Sequence, residues 1–176
     1  MFDFKNLDES TRVSMMQAIV EANSSGNIYF STRFNQDGND QWISLLTQAA
    51  QGFNEHWLAY QIEKNKLMKD FEGSTTPSGG YTIKHIPHTA ATTFAEGQFN
   101  RFYILGLCKF AKSQGILHLT VYRAKASLDP RATSEALIGQ IYSIEDIESQ
   151  LKETRTSFKS ELVKPNSGIS VKIPES

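Results

Sequence analysis

One stretch limits the fold more than any other. From about Thr89 to Gln114 the chain reads as a single helix carrying Phe94, Phe99, Phe102, Tyr103, Leu105, Cys108 and Phe110, with Gly115 placed at C′ to end it. Phe99 is a helical neighbour of both Phe102 and Tyr103, yet those two diverge by about 100°, so the apolar surface spans more than one face. Such a helix cannot lie on a domain with one side wet. It is either central in its own domain or also buried against another chain.

The sequence before it reads as helical. Asp8 or Ser10 can cap a first helix in which Val13, Met16, Ile19 and Val20 recur at helical spacing, until Asn23-Ser24-Ser25-Gly26 stops it. Ile28 to Phe34 follows, with Ile28, Phe30 and Phe34 on one side of a period-two segment, which predicts a short strand. Asn35 to Asp40 is a turn cluster in which Asn39 or Asp40 can cap the next helix. That helix carries Trp42, Leu45, Leu46, Ala49, Phe53, Trp57 and Tyr60 at steps of three or four, and the pattern continues through Leu67, Met68 and Phe71. Thirty helical residues would run about 45 Å, more than a compact domain of this size needs. Gly52 is the natural place for a break.

Gly73-Ser74-Thr75-Thr76-Pro77-Ser78-Gly79-Gly80 reads as a linker. Strands are expected at Tyr81–Ile86, ended by Pro87, at Ile116–Ala124, with Leu117, Leu119 and Val121 on one face, and at Leu137–Tyr142. Ser143 with Asp146 makes a start resembling a capping box for a short helix through about Lys152. Past the Pro165–Gly168 turn, Ile169, Val171 and Ile173 alternate as a last strand, an arm that needs a sheet edge of its own chain or a neighbour's. The expected fold is α+β: a helical region over 1–72, a linker over 73–80, and over 81–176 a small mixed sheet with a long packed helix and a C-terminal strand.

The 176 residues carry a net charge of −1, which excludes a histone-like protein or a disordered polyelectrolyte. One cysteine allows no internal disulfide, and no apolar run reaches the roughly 20 residues of a membrane span. A cytoplasmic protein is expected, or a virion protein if the source is a phage, with no membrane partner. The charge is unevenly spread along the chain. Residues 81–131 hold seven basic and two acidic groups, while both flanks are acidic. Arg101, Lys109 and Lys112 fall partly on one face of the long helix. Arg123, Lys125, Arg131 and Glu135 lie within thirteen residues around a strand end and a Pro turn. These seven residues are candidates for an interface or an anion site, and Arg123 or Arg131 can equally form an ion pair with Glu135.

Catalytic patterns are incomplete. His85 and His88 are the one close histidine pair and hence the metal candidates, but no CxxC or HExxH accompanies them. Cys108 sits mid-helix among Leu107 and Phe110, where burial rather than reactivity is expected. GxxxxGK[ST], GxGxxG and GxSxG are absent. Arg123 stands where a metal-dependent nuclease would carry an acid, and Thr133-Ser134-Glu135 has the wrong order for an ADP-ribosyl transferase. No cofactor is expected.

Pro87-His88-Thr89-Ala90-Ala91, Phe94 to Tyr103, Val121 to Lys125, Ser134 to Gly139 and Pro165 to Gly168 resemble segments of small proteins from bacterial and phage genomes, virion components among them. The resemblance covers about 85–173 and transfers no catalytic motif. It implies assembly: a structural protein that self-associates, with copies of itself or other particle proteins as partners. Two other classes stay open, a nucleic-acid-binding module using 81–131 and a metal-dependent hydrolase or transferase.

Overall fold

The long helix is central. The computed structural model describes residues 1–127, 129–153 and 160–175, except for the side chains of 152 and 153. In it, α4 (Ala90–Ser113) keeps Phe99, Phe102, Tyr103, Ile104, Leu107 and Cys108 wholly out of solvent. Its ends follow local chemistry, since Gly115 takes a φ of 74° just past the C-cap Gln114. The first helix, α1 (Glu9–Ser24), starts at Asp8, whose carboxylate accepts from Thr11 N at 2.8 Å. It crosses α4 closely at Gly106, where an added Cβ would lie 2.5 Å from Met15 Cγ and 2.7 Å from Met15 N. α1 buries Met15, Ala18, Ile19 and Ala22, while Val13 and Val20, read as part of its inner face, point outward.

The expected helix over 41–71 is two helices. α2 (Gln36–Gly52) begins earlier than predicted, because Asn35 rather than Asn39 or Asp40 is its cap and accepts from Gly38 N at 2.9 Å. It ends at Gly52. Asn54 then caps α3 (Glu55–Lys64), accepting from Trp57 N at 2.9 Å. Arg12 secures the junction by donating to the carbonyls of Ala49, Ala50 and Phe53. The break resets the helical phase. Leu58, Ala59 and Ile62 become the buried face of α3, and Phe53 and Tyr60 are left exposed.

Ile28–Phe34 is not a strand. Its one bridge is Phe34 to Met68, and Trp42 Nε1 donates to Tyr29 O at 3.0 Å, so the segment is held by side chains as much as by backbone. The 73–80 segment also takes more structure than a linker. Gly73, Ser74 and Thr75 finish β1 (Phe71–Thr75), which pairs antiparallel with β2 (Tyr81–His85), and 76–80 is the turn between them, with Gly79 at φ 83°.

The second sheet holds β3 (His118–Arg123) between β4 (Ile141–Ser143) and β5 (Ile169–Lys172), both antiparallel to it. Among the described residues both sheets are antiparallel rather than the mixed sheet expected: strand, helix, strand here joins two different sheets and makes no parallel crossover. The strand expected over 137–142 shrinks to β4. Before it, α5 (Ala132–Glu135) and a turn occupy the chain, with Gly139 at φ 84°. Ser143 does cap α6 (Ile144–Glu153): its Oγ accepts from Asp146 N at 3.1 Å and donates to the Asp146 carboxylate at 2.7 Å, a hydroxyl–carboxylate bond in place of the capping box's second backbone bond. Leu119 and Val121 face the core, but Leu117 precedes the strand and is exposed. The C-terminal strand docks on its own β3.

Residues from both sides of the hairpin share one hydrophobic core around α4. Asn100 ties α4 to the C-terminal chain. Its Nδ2 donates to Leu162 O (3.2 Å) and Ile169 O (3.0 Å), and its Oδ1 accepts from Ser170 Oγ (2.6 Å). Tyr103 OH donates to Val171 O at 3.1 Å, and burial holds that phenol far above its ordinary pKa. The fold is α+β with a helical N-terminal region. Among the described residues, no helix is long and apolar enough to cross a membrane.

Candidate functional site

The basic residues of 81–131 do not form one open patch. Arg101 is 2% exposed, and its guanidinium donates to Leu151 O at 2.8 Å near the end of α6. Burial lowers its pKa from the usual value. Lys109 meets Glu21 of α1 at 2.7 Å, and Lys112 meets Glu148 of α6 at 2.9 Å. The hydrogen bond that Lys112 donates to the Glu148 carboxylate raises the Lys112 pKa. Lys84 lies 3.5 Å from Glu72, and Lys125 pairs with Glu96. The acidic flanks seen along the sequence thus return in space as partners of the basic segment. Ion pairs as exposed as Lys109–Glu21 contribute at most about 1 kcal/mol, so they set the local field more than the stability.

Arg123, Lys125, Arg131 and Glu135 are only partly gathered. Arg123 donates to Ser167 O at 2.5 Å and pairs with Glu135, so it pins α5 against the turn that leads into β5. That turn is itself close against the end of β3. Ala124 N and Lys125 N both donate to Gly168 O at 2.9 Å, and Gly168 has a φ of 66° with no room for a Cβ beside Lys125 O. Lys125 turns instead toward α4. Arg131 is exposed at the start of α5, and its charge, after Lys164 and Thr133, helps hold the Glu161 carboxyl below its ordinary pKa.

The histidine pair stays apart in role. His85 ends β2 with its ring 4.2 Å from that of Phe71, and His88 is exposed before α4. Among the described residues, no three His, Cys, Asp or Glu side chains are gathered as metal ligands. Cys108 is buried in α4, as its neighbours predicted.

The least expected surface is the hairpin. Its register pairs Phe71 with His85, Gly73 with Ile83 and Thr75 with Tyr81, so these six residues share one face. The other face carries Glu72 opposite Lys84 and Ser74 opposite Thr82. Glu72 is the residue that fastens the hairpin to the body, through two bonds from Arg33 at 2.7 and 2.9 Å, which lower its pKa. On that polar face Glu72 and Ser74 are half-buried while Thr82 and Lys84 are exposed, and the apolar side meets solvent. Phe71, Tyr81 and Ile83 are 50%, 77% and 66% exposed. The Tyr81 ring lies over Gly73, where a Cβ would collide with it, so even this open face is ordered.

Reading 73–80 as a linker hid this surface. The usable signal was the alternation of Tyr81, Ile83 and His85 mirrored by Phe71, Gly73 and Thr75 across a Pro-Ser-Gly-Gly turn. No family model matches the chain, and no curated protein or solved structure does either.

Proposed function

We propose that this chain is a structural protein that associates with copies of itself, and that the β1–β2 hairpin, with its open apolar face and unpaired edge, is where it does so. The carrying observation is the open apolar face of that hairpin. A two-stranded hairpin is marginal in water, and one that turns Phe71, Tyr81 and Ile83 to solvent is costly unless something covers them. Two features that suggested assembly in the sequence have been absorbed within the chain: the long helix divides at Phe53–Asn54, and β5 pairs with β3. The hairpin takes their place as the ground for the proposal. That the assembly is a phage-type particle is supported by the resemblance of residues 85–173 alone.

Magnitude decides what kind of association this is. The three side chains offer roughly 350 Å² of exposed surface, taking about 150–250 Å² for each when open. A stable pair buries about 800 Å² on each partner. One hairpin therefore makes a weak contact, the kind that suits an assembly of many copies. A nucleic-acid module would have to draw the basic side chains away from Glu21, Glu72, Glu96, Glu135 and Glu148.

Sedimentation velocity across a concentration series tests the proposal. The wild-type chain is expected to show reversible, concentration-dependent association, and Ile83→Lys to abolish it with an unchanged circular dichroism spectrum. A wild-type chain that stays monomeric at every concentration, with no partner protein present, contradicts it.

A further inference from the structure

We infer that two copies join edge to edge through β2, antiparallel about a two-fold axis at Ile83, to form a four-stranded sheet in the order β1, β2, β2, β1. This rests on the assembly reading above and gives it a register. The free hydrogen-bonding groups of β2 follow from the ladder. Ile86 N donates to Asp70 O at 2.9 Å, and Thr76 N donates to Gly80 O at 2.8 Å. Opposed pairs in an antiparallel ladder alternate between bonded and non-bonded. Between those two ends, Glu72–Lys84 and Ser74–Thr82 are the bonded pairs. The N–H and C=O groups of Tyr81, Ile83 and His85 are then directed away from β1.

The opposite edge of the hairpin is engaged at its root. Lys69 N donates to Arg33 O at 2.9 Å, Phe34 bridges Met68, and Arg33 grips Glu72. Among the described residues, β2 pairs only with β1. Phe71, Gly73 and Thr75 likewise pair with no third strand among the described residues, but the Arg33–Phe34 segment flanks the root of that edge, which leaves β2 the edge open along its whole length.

Two copies of that edge fit each other. When Ile83 faces Ile83 of the second copy, Tyr81 faces the second copy's His85 and His85 faces its Tyr81. All three are then bonded pairs, each exchanging both backbone bonds, and any other offset of the two strands pairs fewer of the outward groups. Charge agrees with the arrangement. Lys84 falls opposite Thr82 of the second copy, so like charges do not meet across the axis. On the apolar side Tyr81 stands beside an imidazole and Ile83 beside its own image. The two exposed faces merge into one continuous apolar stripe on the same side of the joined sheet.

Cysteine cross-linking tests the register. Cys108 is wholly buried, so an introduced thiol is the reactive one. At the axis the two Cα atoms would be about 5.5 Å apart, within disulfide reach. Residues 81 of the two copies would be displaced by about 14 Å along the strand. Under mild oxidation Ile83→Cys is expected to give covalent dimer about tenfold or more faster than Tyr81→Cys. If the wild-type chain associates but position 83 cross-links no faster than 81, the β2 register is wrong and the assembly reading stands. If the wild-type chain stays monomeric in sedimentation and neither variant cross-links, both are wrong.

Discussion

Asn100 shows how much one polar side chain can organise. It is 2% exposed and serves three groups at once: two carbonyls, from Leu162 and Ile169, and the Ser170 hydroxyl. Replacing it by alanine leaves all three buried without their partner. Asn100→Ala is expected to lower unfolding stability by about 2–4 kcal/mol in urea titrations. Its neighbour Arg101 marks a limit of reading from sequence. Helical spacing put it on a polar face with Lys109 and Lys112, yet it lies inside the protein because the end of α6 offers it the Leu151 carbonyl. Which carbonyl comes to a buried guanidinium is a tertiary fact, with no trace in local spacing. Arg123 was more legible. Its proximity to Glu135 along the chain already allowed an ion pair, and the pair forms.

Among the elements, those with strong local signals stand where the sequence placed them. α1 has its Asp8 cap, α4 its Gly115 stop, and α6 its Ser143 cap. The misplaced elements are those whose periodicity runs across a break. Within 41–71 the break falls at Gly52, the position the sequence offered for one, and capping by Asn54 together with the Arg12 bonds fixes where α3 starts. The glycines of these helices sharpen the contrast. At Gly106 a methyl would collide with the backbone of Met15, whereas at Gly52 it would meet nothing within 4 Å. Gly106→Ala is therefore expected to lower stability by about 1–3 kcal/mol through forced separation of α1 and α4. Gly52→Ala should be neutral or slightly stabilising. Thermal melts of the two variants side by side provide the measurement.

For the whole molecule, the uneven charge along the chain largely disappears on folding. Glu21, Glu72 and Glu148 come from outside the basic segment and meet Lys109, Lys84 and Lys112 within one copy. The sequence showed the asymmetry but not where it would be neutralised, because that depends on α1 and α6 both lying along α4. The core likewise closes within one chain, and the hairpin contributes little to it. Because the core closes within one copy, the monomer is expected to unfold with a urea midpoint that is constant at concentrations where sedimentation shows no association. Once association sets in, the midpoint is expected to rise with concentration, by mass action on the native state.

The link between Asn100 and Ile169, 69 residues apart, also has a consequence in time. On the ribosome, α4 is complete well before β5 has been made. Until β5 arrives, Asn100 and Tyr103 lack the Ile169 and Val171 carbonyls, and β3 has one open edge beside a helix that is apolar nearly all round. The nascent chain thus passes through an interval of exposed apolar surface that the finished one lacks, and its need for chaperone shelter is greatest just before the final strand is released.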